Sequence, residues 1–193
     1  MKKSTIILVA ILGILAIWCV SGYNGMVSTD EDANKSWGNV QSAYQRRADL
    51  IPSLVETVKG YAKHEEETFK GVIEARSKAT QVTQNITEPT EENMKQLQAA
   101  QGDLSNALSR LMVVVEAYPE LKANENFMDL QSQLEGTENR INEARRDYNE
   151  KVLTYNVKVR KFPNNILAGI FGFSTKAMFA ADEGAQKAPE VKF

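Results

Sequence analysis

The sequence predicts an all-α protein: an N-terminal transmembrane helix followed by an antiparallel up-and-down four-helix bundle with long, coiled-coil-like helices. Three observations predict it. No charged residue stands between Lys3 and Asp30, and apolar residues beyond recur at alternating steps of three and four. With 11 Gly and 5 Pro in 193 residues rich in Ala, Leu, Glu, Lys and Gln, few positions interrupt a helix. The expected divisions are 1–23 for the membrane segment, 24–162 for the bundle, and 163–193 for a short apolar segment with a disordered tail.

The membrane segment comes first. A spanning helix needs roughly 20 mainly apolar residues, and Ser4 to Tyr23 supplies them, with Trp18 and Tyr23 near its far end, where aromatic rings favour the interface. Lys2 and Lys3 precede the span and Asp30, Glu31 and Asp32 follow it, so the charge bias keeps the N-terminus cytoplasmic and the body outside. Two alternatives compete with an uncleaved signal-anchor. Val20 and Gly22 could form the small-residue pair of a cleavage site. Cys19 could carry lipid, but bulky Trp18 stands where such a signal wants a small residue.

The first bundle helix carries a heptad seam: Ala33, Trp37, Val40, Tyr44, Arg47, Ile51, Leu54, Val58 and Tyr61. Pro52 lies inside it and should kink it, because proline removes a backbone donor. Past Tyr61 the apolar phase shifts to Phe69, Val72 and Ile73, so a break is placed at Gly60. Polar Gln81 to Thr90 reads as the next loop, and Thr90 with Glu91 and Glu92 as the N-cap of a third helix. That helix carries Leu97, Leu104, Leu108, Leu111, Val115 and Tyr118 and ends before Pro119. The fourth holds one phase through Phe127, Leu130, Leu134, Thr137, Ile141, Ala144, Tyr148 and Tyr155, with Val152 and Val159 turned inward beside Lys151 and Lys158. Pro163 stops it. The run Ile166 to Phe173 is too short to span a bilayer, and should either rest at the membrane interface or cap the bundle core. The tail from Ala180 to Phe193 should be disordered.

Chemistry is sparse. A formal net charge of −2 without basic blocks argues against a nucleic-acid partner. His64 is the only histidine, and position 68, where a helical zinc site would need a second, is Thr68. It reads as a solvated histidine on a helix beside Glu65, Glu66 and Glu67, and no metal or cofactor is implied. The only thiol, Cys19, lies in the apolar run, and no serine has a histidine nearby in sequence, so no catalytic residue is expected. Arg47 stands out because a guanidinium in a seam must pair or reach out to water. Arg46, Arg47, Asp49 and Pro52 form either a buried ion pair that fixes register or a docking site. Tyr-Asn-x-x-Val occurs at Tyr23, Tyr148 and Tyr155; the expected role is core packing with the phenol at the rim and Asn turned away.

Longer blocks carry a resemblance. Tyr23-Asn24, Trp37-Gly38-Asn39-Val40, the unbroken block Tyr44 to Tyr61 with Lys63-His64-Glu65, Val114 to Ala123, Leu134 to Asn139, Ala144 to Asn149, Phe162-Pro163-Asn164 and Gly172-Phe173 together resemble the bacterial LemA family. The likeness runs from Met1 to Phe179 and implies a membrane-anchored helical bundle without an established biochemical activity. The expected function is a single-pass scaffold of the bacterial cytoplasmic (inner) membrane, bound to lipid through its N-terminal helix and to an unidentified envelope protein. The alternative is a ligand-sensing bundle acting through a separate partner. The heptads set no oligomeric state.

Overall fold

A computed structural model describes residues 3–180. Among them the chain forms helices α1 (Lys3–Tyr61), α2 (Glu66–Asn85), α3 (Glu91–Glu116), α4 (Pro119–Lys122), α5 (Glu125–Arg160) and α6 (Asn164–Phe171), and no strand. The tail beyond Ala180 lies outside the described residues.

α1 is a single helix of 59 residues, about 90 Å long at 1.5 Å per residue. Its first part, Ile6 to Ile17, is exposed and apolar, and packing begins at Trp18 and Cys19. It is the one helix among the described residues long and apolar enough to cross a membrane. It ends at Tyr61, one residue past Gly60, and Ala62 to Glu65 turn the chain. His64 is exposed in that turn rather than on a helix.

Cross-contacts give each long helix its direction. Gln41 of α1 meets the end of α2 at Thr83, while Ala48 meets Arg76. Lys78 pairs with Asp103, and Gln101 meets Thr83, so α2 and α3 are antiparallel. Along α1 and α5, Met26 clusters with Tyr155, Trp37 with Tyr148, and Ile51 and Leu54 with Phe127. One core gathers Ile51, Leu54, Val58, Val72, Leu104, Leu111 and Phe127; a second gathers Trp37, Val40, Tyr44, Leu97, Ile141 and Tyr148. A third, of Met26, Tyr155, Val159, Leu167 and Ala168, lies where α6 meets α1. Gly22 lets them touch, because a Cβ there would stand 2.7 Å from Leu167 Cδ1.

The segment Gln81 to Asn85, expected as loop, is the last turn and a half of α2. Thr83 is buried and Val82 half-buried, so packing outweighs the polar composition. The side-chain amide of Gln41 donates to the carbonyls of Thr83 (3.2 Å) and Ile86 (3.3 Å), serving acceptors that a helix end leaves open. Ile73 of the shifted phase is 41% exposed, while Phe69, Val72 and Ala79 face the core. Thr90 caps α3 by accepting from Asn93 N–H at 3.2 Å, and Asn124 caps α5 by accepting from Phe127 N–H at 3.0 Å. Pro119 opens the short helix α4 in the α3–α5 connection. Gly172 closes α6 in the left-handed region, φ 76°, where other residues are strained.

α1 continues through Pro52. A proline at 52 cannot donate to the Ala48 carbonyl four residues earlier. Arg76 of α2 takes that role, its Nε donating to Ala48 O at 2.6 Å. The missing helix bond thus becomes a contact between helices.

Arg76→Met should therefore cost about 1 kcal/mol in urea unfolding, because a part-buried carbonyl loses its donor. In a Pro52→Ala background, where residue 52 regains an N–H, the same change should cost clearly less. Equal costs in both backgrounds would refute the compensation.

Candidate functional site

Of the four residues singled out in the sequence, the structure buries only Arg47, which is 4% exposed; Arg46 and Asp49 are exposed and Pro52 is half-buried. Heptad position explains the split, since Arg47 follows Tyr44 by three residues on the face turned to the other helices. Its Nη1 donates to Glu138 Oε2 of α5 at 2.7 Å and reaches Ser105 Oγ at 3.4 Å, and Nη2 donates to Gln101 Oε1 of α3. Gln101 Nε2 in turn donates to Thr83 Oγ1 of α2 at 2.9 Å, and that hydroxyl donates to Ala79 O at 2.7 Å. One polar chain therefore touches all four long helices. Glu138 is 49% exposed, which screens the ion pair.

A second arrangement lies toward the apolar end of α1. After Gly172 the chain runs extended, and residues 174–180 lie along α5 as a strap. Asn156 holds the backbone of Lys176 from both sides: its Nδ2 donates to Lys176 O at 2.9 Å, and Lys176 N–H donates to its Oδ1 at 2.9 Å. Asn149 does the same to Phe179, at 3.0 and 2.8 Å. The hydroxyls of Tyr155 and Tyr148 donate to Ser174 O (2.8 Å) and Ala177 O (2.9 Å). The Tyr-Asn repeat is thus a ladder that grips an extended chain. Asn149 and Asn156 are not turned away, as the helical wheel had suggested, because the strap supplies partners on that flank. The registers agree: seven helical residues rise about 10.5 Å and three extended residues span about 10 Å.

Two side chains of the strap are also recognised. Lys176 Nζ lies 3.0 Å from Asp30 Oδ1, 3.1 Å from Asn34 Oδ1 and 5.5 Å from the centre of the Tyr155 ring. Phe179 is 6% exposed, stacks on Trp37 at 6.2 Å, meets Tyr148 edge-on at 5.6 Å, and lies under the Arg145 guanidinium at 4.8 Å. From the α2–α3 loop, Pro89 O accepts Ala177 N–H at 3.1 Å. Burial, and after it the charge of Asp30, pushes the Tyr155 phenol up to about 12, and burial raises that of Tyr148 further. Both stay protonated donors at neutral pH. Their contribution to stability is complete below the free phenol value of about 10 and is lost only as pH rises through the folded values.

The third Tyr-Asn copy differs. Tyr23 meets Phe171 and Phe173 edge-on, at 4.9 and 5.6 Å. The run Ile166 to Phe173 is mostly helix α6, with Leu167 and Ala168 buried against the body and Ile166, Ile170 and Phe171 exposed, as is Phe162 before the helix. Among the described residues no group of three or more His, Cys, Asp and Glu side chains could hold a metal ion.

The LemA family model matches residues 36–193. The chain is similar to magnetosome protein MamQ 2 of Paramagnetospirillum magneticum, 32% identical over 174 residues, which cover 81% of this chain and 64% of that protein. It is also similar to magnetosome protein MamQ of Magnetospirillum gryphiswaldense, 30% identical with the same coverage. Protein LemA of Metamycoplasma hominis is 24% identical over 172 residues, 89% of this chain and 75% of that protein. The chain thus spans less than two thirds of the length of the MamQ relatives.

Arg47→Ala should lower stability by about 2–3 kcal/mol, below the usual cost of a broken buried pair because Glu138 is half in water. Its neighbour Arg46→Ala should change stability by about 0.5 kcal/mol or less. Coincident melts for wild type and Arg47→Ala would instead favour a docking role.

Proposed function

Since this chain belongs to the LemA family, we propose that it is a single-pass, membrane-anchored scaffold of the bacterial cell envelope, without catalytic activity of its own. The observation that carries this reading is the continuity of α1, which leads an exposed apolar run into a packed helical body without a joint. The body is an up-and-down four-helix bundle of α1, α2, α3 and α5, supported by the antiparallel contacts of α1 with α2, α2 with α3 and α1 with α5 and by their heptad spacing. Interior positions such as Leu54, Leu104, Leu111 and Tyr148 are filled, which favours a scaffold over a ligand-sensing domain. An uncleaved signal-anchor with the body outside the cytoplasm agrees with lysines before the apolar run and acidic residues after it. The apolar outer face of α6 rests on the membrane surface, in keeping with its contact to α1 beside Trp18 and Cys19.

Protease added to spheroplasts should digest the body and spare an N-terminal tag; a body protected until lysis would reverse the orientation. An environment-sensitive dye at Ile170, which is 69% exposed, should be quenched by lipid-borne quenchers in liposomes. Ala168 is unsuited because it is buried against the body. An unquenched dye at Ile170 would lift α6 off the membrane. Pull-down from detergent-solubilised membranes, comparing wild type with a chain lacking the body, should recover an envelope protein only with wild type.

A further inference from the structure

The strap carries a reading that core packing does not. A segment that merely covered apolar surface would need apolar side chains, yet only Phe179 is buried among residues 174–180. Most of the grip falls on backbone atoms. Side chains of α5 make six hydrogen bonds to the main chain of four strap residues. Main-chain reading of this kind accepts any extended peptide, and pockets beside it supply selectivity. There are two such pockets, three residues apart. The one at Lys176 is acidic and polar, built by Asp30 and Asn34; the one at Phe179 is aromatic, built by Trp37 and Tyr148. The Trp37 indole N–H is buried without an acceptor among the described residues, so the strap leaves one donor in this pocket unanswered.

We propose that α1 and α5 form a peptide-binding groove for an extended segment with a lysine followed, three residues later, by an aromatic residue. Residues 174–180 occupy it in cis, and a partner protein's segment of that chemistry displaces them. Charge complementarity commits the occupant to a basic residue at the first pocket, where Asp30 would otherwise stand without Lys176. Gly172 ends α6 in the left-handed region, so the strap starts outside the helix and its departure breaks no hydrogen bond within α6. Because the strap is covalently attached, it competes at an effective concentration in the millimolar range, which holds the groove shut against weak ligands. This deepens the scaffold reading and rests on it by naming what the partner must carry.

The test uses full-length protein in detergent and a fluorescent, end-capped peptide Ser-Thr-Lys-Ala-Met-Phe-Ala, the sequence of residues 174–180. Anisotropy should show about tenfold or tighter binding to a Lys176→Ala/Phe179→Ala chain, whose strap is loosened, than to wild type. Adding Asn156→Ala or Asp30→Asn to that chain should remove the gain. A peptide with the same composition but Lys and Phe adjacent should not bind. Should the doubly changed chain lose its helicity, a second measurement serves on an otherwise wild-type strap. A nitroxide at Met178→Cys in a Cys19→Ser background reports strap mobility, which should rise as the peptide reaches millimolar concentration. Equal binding of both peptides, no gain on loosening the strap, or an immobile label under excess peptide would overturn the proposal. A wild-type dimer abolished by Phe179→Ala would overturn the choice of partner in favour of a second copy's strap. Partners still captured in pull-down with a groove silent to the peptide would remove this inference and leave the scaffold standing.

Discussion

The pairing of α1 with α5 outreaches the helices that cover it. From Gly22 to Val58, α1 presents a buried stripe 37 residues long, whereas the expected seam residue Tyr61 is 41% exposed, and α5 runs for 36. α2 has 20 residues and α3 has 26, so the second pair cannot cover the first along its length. At the end next to the apolar run, Met26 and Tyr155 cluster with no residue of α2 or α3 and need another cover, while Trp37 and Tyr148 are covered there only in part by Met94 and Leu97. α6 and the strap meet that demand, α6 against Met26 and Tyr155, and Phe179 against Trp37 and Tyr148. Burial of such a surface contributes about 25 cal/mol per Å2 of apolar area, which favours a folded-back chain end over a free one.

Polar groups inside the body work by a related economy. Arg47, Glu138, Gln101 and Thr83 place one hydrogen-bonded chain across four helices, and such a chain tolerates little sliding of one helix past another. Apolar heptads alone would accept a shift of seven residues at modest cost. Arg76 solves a different problem, the carbonyl that Pro52 leaves without a donor, and in doing so attaches α2 to α1. Both cases convert a local defect, a charge in a seam or a proline in a helix, into a fixed relation between elements.

Much of the fold was legible because helix periodicity is a local property. The seam from Ala33 to Val58, the Thr90 cap, the end of α1 by Gly60 and the inward turn of Val152 and Val159 all follow from spacing within one segment. The last turns of α2 were not legible, since Gln81 to Asn85 are polar and are held in place by Gln41, some 40 residues away. The ladder was half legible. The Tyr-Asn repeat at heptad spacing was visible, but Asn149 and Asn156 lie on a flank that looks solvated until the strap arrives.

The sequence by itself determined the helical class, the apolar run ahead of the body, and which face of each long helix turns inward, because 3.6-residue periodicity and the scarcity of breakers act within a few turns. The tertiary structure alone decided that Glu138 answers Arg47, that Arg76 answers Pro52, and that residues 174–180 fold back onto α5. Those pairings join residues 19 to 91 positions apart, and chain spacing carries no record of them. The folded-back strap answers the unequal lengths of the packed helices, and the partners of Arg47 and Pro52 are whatever side chains the neighbouring helices bring opposite them; both become constraints only once the helices lie side by side.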